Sequence, residues 1–336
     1  MKNVIQSIPI PSTAIITPEE DSSSEQQRPL LPLEIEIMEP PQPLTMDRLA
    51  ARDDLILAQS TSQCCRCCCF QNSINWVLSE EDNFQPGTNP FNLPISGWIH
   101  EESSWFGRSC SWILPGCRAA KYVQHAGPPP ESIRRENRSC GTCQTGLITQ
   151  GLDETDRNSN IIGTHEKVCT CGYCFNFGDY SFPICNCFPL PYLETKTAEG
   201  AIVGKTLYIC DACMFVPKFD VFDKMGEKKY RLRPDTCCLG VCVRCRFGGG
   251  KGKCFRVPFI IRDYSSRVPV KTNAPSEESA QIDVLWSGWK NECCTLKNAY
   301  HLAFPEGVSP EEKLLLTGAA LLVDLTLYEQ KDDSDS

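Results

Sequence analysis

The most apolar run in the chain, Leu314 to Val323, stops at a carboxylate, Asp324. A helix that crosses a bilayer needs roughly 20 apolar residues. This run is far shorter, and Leu325, Leu327 and Tyr328 extend it only a little. An Asp deep in a lipid-embedded helix costs about 2.5–3.5 kcal/mol on insertion scales. A helix that is apolar on every side, yet too short to span, belongs inside protein. Pro310, Glu311 and Glu312 supply its start, because Pro fits the first turn and acids suit the positive end of the helix dipole. The rest of the chain must therefore wrap around a central helix over 310–328.

With 336 residues the chain has room for one large domain or two ordinary ones. Its formal charge of −9 argues against general nucleic-acid binding. The 23 cysteines are the anomaly in composition. Met1-Lys2-Asn3 leads into Pro, Ser and acidic residues rather than an apolar stretch, so no secretory leader is expected. Without export a disulfide framework is not expected either, which leaves thiols that are buried, metal-bound or acylated. Lys2 stands where N-myristoylation requires glycine.

Residues 1–50 are rich in Pro, Ser and Glu and predict a disordered tail. Pro29-Leu30-Leu31-Pro32 and Pro40-Pro41-Gln42-Pro43 within it suit an SH3 or WW domain, or a plain solvated linker. The folded part is expected over 51–329, opening with a strand or short helix over 53–59. A flexible insertion is expected at about 127–168, and an acidic disordered tail over 330–336. From 169 to 263 the pattern is one of strands. Lys218-Phe219-Asp220-Val221-Phe222-Asp223 and Lys229-Tyr230-Arg231-Leu232-Arg233 alternate polar and apolar at period two around a turn. Segments 192–197, 200–209, 254–263 and 280–286 add further strands. Short strands at regular spacing indicate an all-β sandwich or barrel, and a closed barrel gives the apolar helix an interior to thread.

Four stretches, in order, resemble the phospholipid scramblase family. They are Glu101–Cys110 with Pro115-Gly116-Cys117-Arg118; Ile184-Cys185-Asn186-Cys187-Phe188-Pro189 with Gly200–Gly204; Pro217-Lys218-Phe219-Asp220-Val221 with Cys237–Cys242; and Trp286-Ser287-Gly288-Trp289-Lys290, then Phe304-Pro305 and Thr317–Asp324. The resemblance implies a tubby-like fold, a closed barrel of about twelve strands around a buried C-terminal helix. It also implies ATP-independent, bidirectional movement of phospholipids between leaflets, on the cytoplasmic face of the plasma membrane or another membrane. The alternative is a non-catalytic, acyl-anchored lipid-binding scaffold or signalling adaptor with the same fold.

The family's palmitoylated cysteine run has Cys185 and Cys187 as its counterpart here. A denser cluster, Cys64, Cys65, Cys67, Cys68 and Cys69, puts five thiols within six residues. Stable anchoring takes more than one acyl chain, which such a cluster supplies, so both sets are acylation candidates. Zinc is the competing reading: outside that cluster four CxxC pairs, Cys140/Cys143, Cys171/Cys174, Cys210/Cys213 and Cys242/Cys245, have gaps longer than paired zinc knuckles use.

The resemblance also implies a calcium loop before the final helix. Its counterpart, Leu296–Ala303, lacks carboxylates, and hard Ca²⁺ wants several oxygen donors including Asp or Glu. The site is therefore expected to be degenerate. A basic belt holds the lipid head-group candidates Lys228, Lys229, Arg231, Arg244, Arg246, Lys251 and Lys253. Near a membrane each such charge contributes about 1 kcal/mol toward anionic lipid. The competing reading is a solvated basic face. Gly248–Lys253 fails the Walker spacing, and neither Gly-x-Ser-x-Gly nor HExxH occurs, so neither nucleotide-dependent nor hydrolytic chemistry is expected.

Overall fold

The structure is a computed structural model that describes residues 42–59, 76–79, 93–102, 120–130, 154–167, 191–209, 216–236, 256–275, 277–285 and 298–328. Among the described residues twelve strands make up the sheet: β1 Asp54–Gln59, β2 Trp76–Ser79, β3 Ile95–Glu102, β4 Ala120–Ala126, β5 Ile161–Lys167, β6 Tyr192–Thr197, β7 Ile202–Ile209, β8 Lys218–Asp223, β9 Lys228–Pro234, β10 Arg256–Asp263, β11 Gln281–Leu285 and β12 Ala299–Ala303. Each runs antiparallel to its sequence neighbours, and β12 pairs with β1, Leu57 opposite Tyr300, so the pairings return to their start as a closed barrel. The short helices α1 (Met46–Ala51) and α2 (Glu154–Asn158) accompany it.

The long helix α3, Pro310–Val323, is the core element. Ser309 caps it by accepting the backbone N–H of Glu312 through Oγ at 3.3 Å. Every residue from Lys313 to Val323 is buried, so its apolar face is all of it. Asp324–Tyr328 continue as one π-helical stretch. The predicted 310–328 helix is thus an α-helix with a π-helical last turn.

Glycines on the barrel's inner face make room for the helix. At Gly204 a Cβ would sit 2.2 Å from the Phe222 carbonyl oxygen and 2.8 Å from Leu315. Gly163 gives way to Leu314 in the same manner. On the helix, Gly318 lies against Thr195 and His165.

The wall has two characters. Along β6 and β9 buried and more exposed residues alternate, so one face meets solvent. Along β1, β11 and β12 every residue is buried, and β3, β4 and β10 come close to that. A strand covered on both faces loses the polar–apolar alternation that marks a half-buried one.

Two expected boundaries move. Order begins before residue 51: Thr45 caps α1, its Oγ1 accepting from Arg48 N, and Leu44 and Leu49 are buried in the core. The insertion expected at about 127–168 is not loop throughout, because α2 and β5 lie within it and β5 pairs with β4 and β6. Its Gly163 and His165 face the helix, which is why a sequence poor in apolar residues still makes a wall strand. The two predicted tails lie outside the described residues, apart from the part of the first that holds α1.

Candidate functional site

The described members of the basic belt sit on β9, and each already has a partner. Arg231 grips the fully buried Asp220 with two nitrogens, Nε at 2.7 Å and Nη2 at 2.9 Å, and its guanidinium lies over the Tyr264 ring. That bidentate bond to Asp220, set against burial, raises the Arg231 pKa further. Lys228 lies over the same ring, donates to the Tyr264 hydroxyl at 3.2 Å and stands 3.7 Å from Asp220. Lys229 pairs with Glu312 in the first turn of α3, tying the rim to the helix. The four other head-group candidates, Arg244, Arg246, Lys251 and Lys253, lie outside the described residues.

Register assembles a second group that no sequence spacing announces. On the outer side of β10, β11 and β12, Arg256 Nη1 donates to Glu277 and, at 2.8 Å, to Asp283. Gln281 donates to both acids. His301 on β12 stands 3.0 Å from Asp54 on β1 through Nε2 and 3.9 Å from Asp283 through Nδ1. Burial pulls the His301 pKa down, but Asp283 and Asp54 outweigh it together and hold it up at about 9. At neutral pH the imidazole is thus a cation, and positive and negative groups alternate along the chain Asp54, His301, Asp283, Arg256, Glu277.

Glu277, Asp283 and His301 place donor atoms within 4.8 Å of one another, as a metal site would. The donor chemistry opposes it. A guanidinium already neutralises both acids, and a metal would have to displace a proton held up to about pH 9.

The implied calcium loop fares no better. Ala299–Ala303 are strand β12, not a loop, and no residue from 298 to 303 is a carboxylate. The acids that reach this stretch are already engaged: Asp54 and Asp283 flank His301, and Asp324 accepts hydrogen bonds from the Tyr300 hydroxyl at 2.6 Å and Asn298 Nδ2 at 3.1 Å. These residues do not fit a Ca²⁺ site. Asp324 thus pairs inside the barrel.

The four histidines share no ligand spacing in sequence, and in space only His100 and His125 come together, 3.0 Å apart through Nδ1 and Nε2. His165 faces the helix, 3.0 Å from Thr195 and 3.2 Å from Gln124, and burial pushes its pKa down to about 3. His125 stacks on Trp98 with ring centroids 4.1 Å apart and bonds to His100 and the Ser159 carbonyl. Burial, the largest cause, takes its pKa down to about 4.

All of the acylation candidates, Cys64–Cys69, Cys185 and Cys187, and all four CxxC pairs lie outside the described residues. The strands still fix where the connections that carry them depart. In an antiparallel ring alternate connections share an end, so those after β1, β5 and β9 leave together. They hold Cys64–Cys69, Cys185 with Cys187, and Arg244–Lys253. The hairpin from β8 to β9, which presents Lys228 and Lys229, turns at the opposite end.

An antiparallel barrel threaded by an apolar C-terminal helix, with its outer wall knit by buried ion pairs, defines the class. A family model described as Scramblase matches residues 251–330, the stretch holding β10, β11, β12 and α3. The chain is 24% identical over 199 residues to the human protein "Phospholipid scramblase family member 5". That alignment takes in 59% of this chain and 60% of the relative, less than two thirds of either. The chain is thus similar to phospholipid scramblases over its last three strands and helix, and more distantly over part of its length. No solved structure matches it.

Proposed function

We propose that the chain acts on phospholipid membranes and moves phospholipids between leaflets without ATP, as a scramblase on a tubby-like barrel. The observation that carries this reading is the coincidence of the Scramblase match with the strands and helix that build the barrel's core. Downhill lipid exchange needs no nucleotide, and the sequence offers no phosphate-binding loop. The residues present do not fit the family's calcium site, so exchange would proceed without calcium.

A second reading, a lipid-binding scaffold, draws on a specific observation. Helix α3 is enclosed along its length, and among the described residues no helix is long and apolar enough to cross a membrane. A helix held inside the barrel opens no path for lipid through a bilayer. Acylation of the cysteines at 64–69, 185 and 187, and SH3 or WW partners on the Pro-rich tail, fit either reading.

Reconstitution into liposomes tests both. A fluorescent lipid is placed in both leaflets and quenched from outside, with and without calcium. Loss of signal beyond the outer-leaflet share, equal in both conditions, supports a constitutive scramblase. Loss that stops at the outer-leaflet share, with incorporation verified, supports the scaffold.

A further inference from the structure

Trp98, His100 and Glu102 follow one another along the outer face of β3, since Ile99 between them is in the core. His125 lies beside them on β4, its ring stacked on Trp98. Hydrogen bonds join four groups in a row. Glu102 Oε1 is 3.3 Å from His100 Nε2, His100 Nδ1 is 3.0 Å from His125 Nε2, and His125 Nδ1 is 2.7 Å from the Ser159 carbonyl oxygen. Both imidazoles are enclosed, whereas the Glu102 side chain, at the end of the strand, is 36% exposed.

Counting protons along the row fixes the state that keeps every bond. A carbonyl oxygen only accepts, so His125 Nδ1 carries a hydrogen. Burial pushes the His125 pKa down to about 4, so this ring is neutral and its Nε2 accepts. His100 must then donate to it through Nδ1. At its other nitrogen His100 meets Glu102. The bond with His100, set against burial and joined by Lys121 at 3.3 Å, holds the Glu102 pKa down at about 2. A carboxylate also only accepts, so His100 donates again, through Nε2. All three bonds exist together only while His100 carries two protons. The neighbouring elements bring no charge that changes this count. Strand β2, Trp76–Ser79, has no ionisable residue, and on β5 Glu166 is held by Lys196 at 2.6 Å. Helix α2 carries Asp156 and Arg157 but acts on His125 through the Ser159 carbonyl alone.

A neutral His100 has one hydrogen for two acceptors, so one bond is lost. Keeping that hydrogen on Nε2 would force His125 to move its own to Nε2, and the Ser159 carbonyl would lose the shortest bond of the row. Keeping it on Nδ1 gives up only the longest bond, and the half-exposed carboxylate has water and Lys121 to turn to. An unmade bond costs most where water cannot replace it, so the second loss is the smaller. We propose that His100 is a proton-operated clasp on Glu102: with two protons it holds the carboxylate against the barrel wall, and with one it releases it to solvent at the end of β3. Rising pH thus frees a negative charge at the rim where the connection from β3 to β4 begins.

The test is a pH titration of the full chain by nuclear magnetic resonance, with ¹⁵N in the histidine rings and ¹³C in the glutamate carboxyl groups. The expected result is one transition in which His100 loses the proton on Nε2 and the Glu102 carboxyl signal moves with it, while His125 keeps its hydrogen on Nδ1. In a Glu102→Gln variant the side-chain amide donates to a neutral His100, so the transition should move down by about one pH unit or more. Lys121→Met, at an exposed position, removes the rival cation and should move it up, which keeps the test open if the first variant fails to fold. A single ring proton on His100 at every pH overturns the proton count. A carboxyl signal that does not follow His100, or a transition unmoved in the folded variants, overturns the clasp. Movement of the Ser159 and Asn160 amide signals with the carboxyl unmoved overturns it as well, because the turn after α2 would then be the group released.

Discussion

His301 Nε2 on β12 stands 3.0 Å from the Asp54 carboxylate on β1, across the pair of strands that joins the last strand of the barrel to the first. The contact spans nearly the whole folded chain, and it is charged. The folded-state pKa of about 9 lies above the ordinary 6.5, so protonated His301 favours the folded form. That stability is fully present below about pH 6.5 and is lost as pH rises through 9. Melting temperature should therefore fall across this window. A His301→Gln variant should melt lower at pH 6 and show a flatter profile, with a cost near neutrality of about 3 kcal/mol for breaking a buried ion pair. An unchanged slope in the variant would show that other groups set the alkaline limit.

Arg231 looks from sequence like a head-group cation, and its geometry gives it a different task. The buried Asp220 depends on its two-pronged grip. Removing one partner of a buried pair costs about 3–5 kcal/mol, because the remaining charge stays in the low-dielectric wall. Arg231→Ala should destabilise by an amount in that range, and Arg231→Lys should recover part of it, since Lys cannot make the bidentate bond. Chemical denaturation measures both. If Arg231→Ala kept full stability and lost only vesicle affinity, the head-group reading would win.

Legibility in the sequence followed the exposure of each element. Helix α3 was visible because its run is apolar throughout, β9 because one face meets solvent and period two survives, and β8 because the buried Asp220 keeps the polar–apolar alternation in a strand covered on both sides. Strands β3 and β12 are covered on both sides, so His100 and His301 sit at buried positions and blur the pattern, and in β1 the same cover left strand and short helix open. Helix α1 hid in a Pro-rich stretch, although Thr45 and Asp47 were a usable start signal. The ion-pair group was out of reach altogether: Asp54, Arg256, Glu277, Asp283 and His301 meet only through strand register and ring closure, which no spacing encodes. The basic belt misled because its described members, Lys228, Lys229 and Arg231, are taken up by Tyr264, Glu312 and Asp220.

Gly204 tests how tightly the barrel closes on its helix. An alanine Cβ would lie 2.2 Å from the Phe222 backbone oxygen, which cannot turn aside as a side chain can. At Gly318 the obstacles are Thr195 Oγ1 at 2.6 Å and His165 Nδ1 at 2.7 Å, both on side chains. Overpacking costs typically about 1–3 kcal/mol. Gly204→Ala should fall at or beyond the top of that range and Gly318→Ala within it. Urea unfolding of the two variants side by side gives the order, and a reversed order would mean that β7 and β8 can part more easily than the register suggests.

Asp324 decides whether the helix stays where it is. Its carboxylate accepts from Tyr300 and Asn298 where α3 gives way to the π-helical turn, tying the helix's exit to β12. A hydrogen bond to a charged group contributes about 1.5–3 kcal/mol. Tyr300→Phe removes that bond and Asp324→Asn strips its charge, so each should lower stability, and the double variant should lose less than their sum, since both act on the same bond. Should the helix instead leave the barrel to enter a bilayer, this tie would oppose departure, and the weakened variants would scramble lipid faster than wild type. If the helix acts from inside, scrambling in the variants stays level or falls with stability. Measuring unfolding and liposome quenching on the same preparations therefore separates a helix that works enclosed from one that must be released.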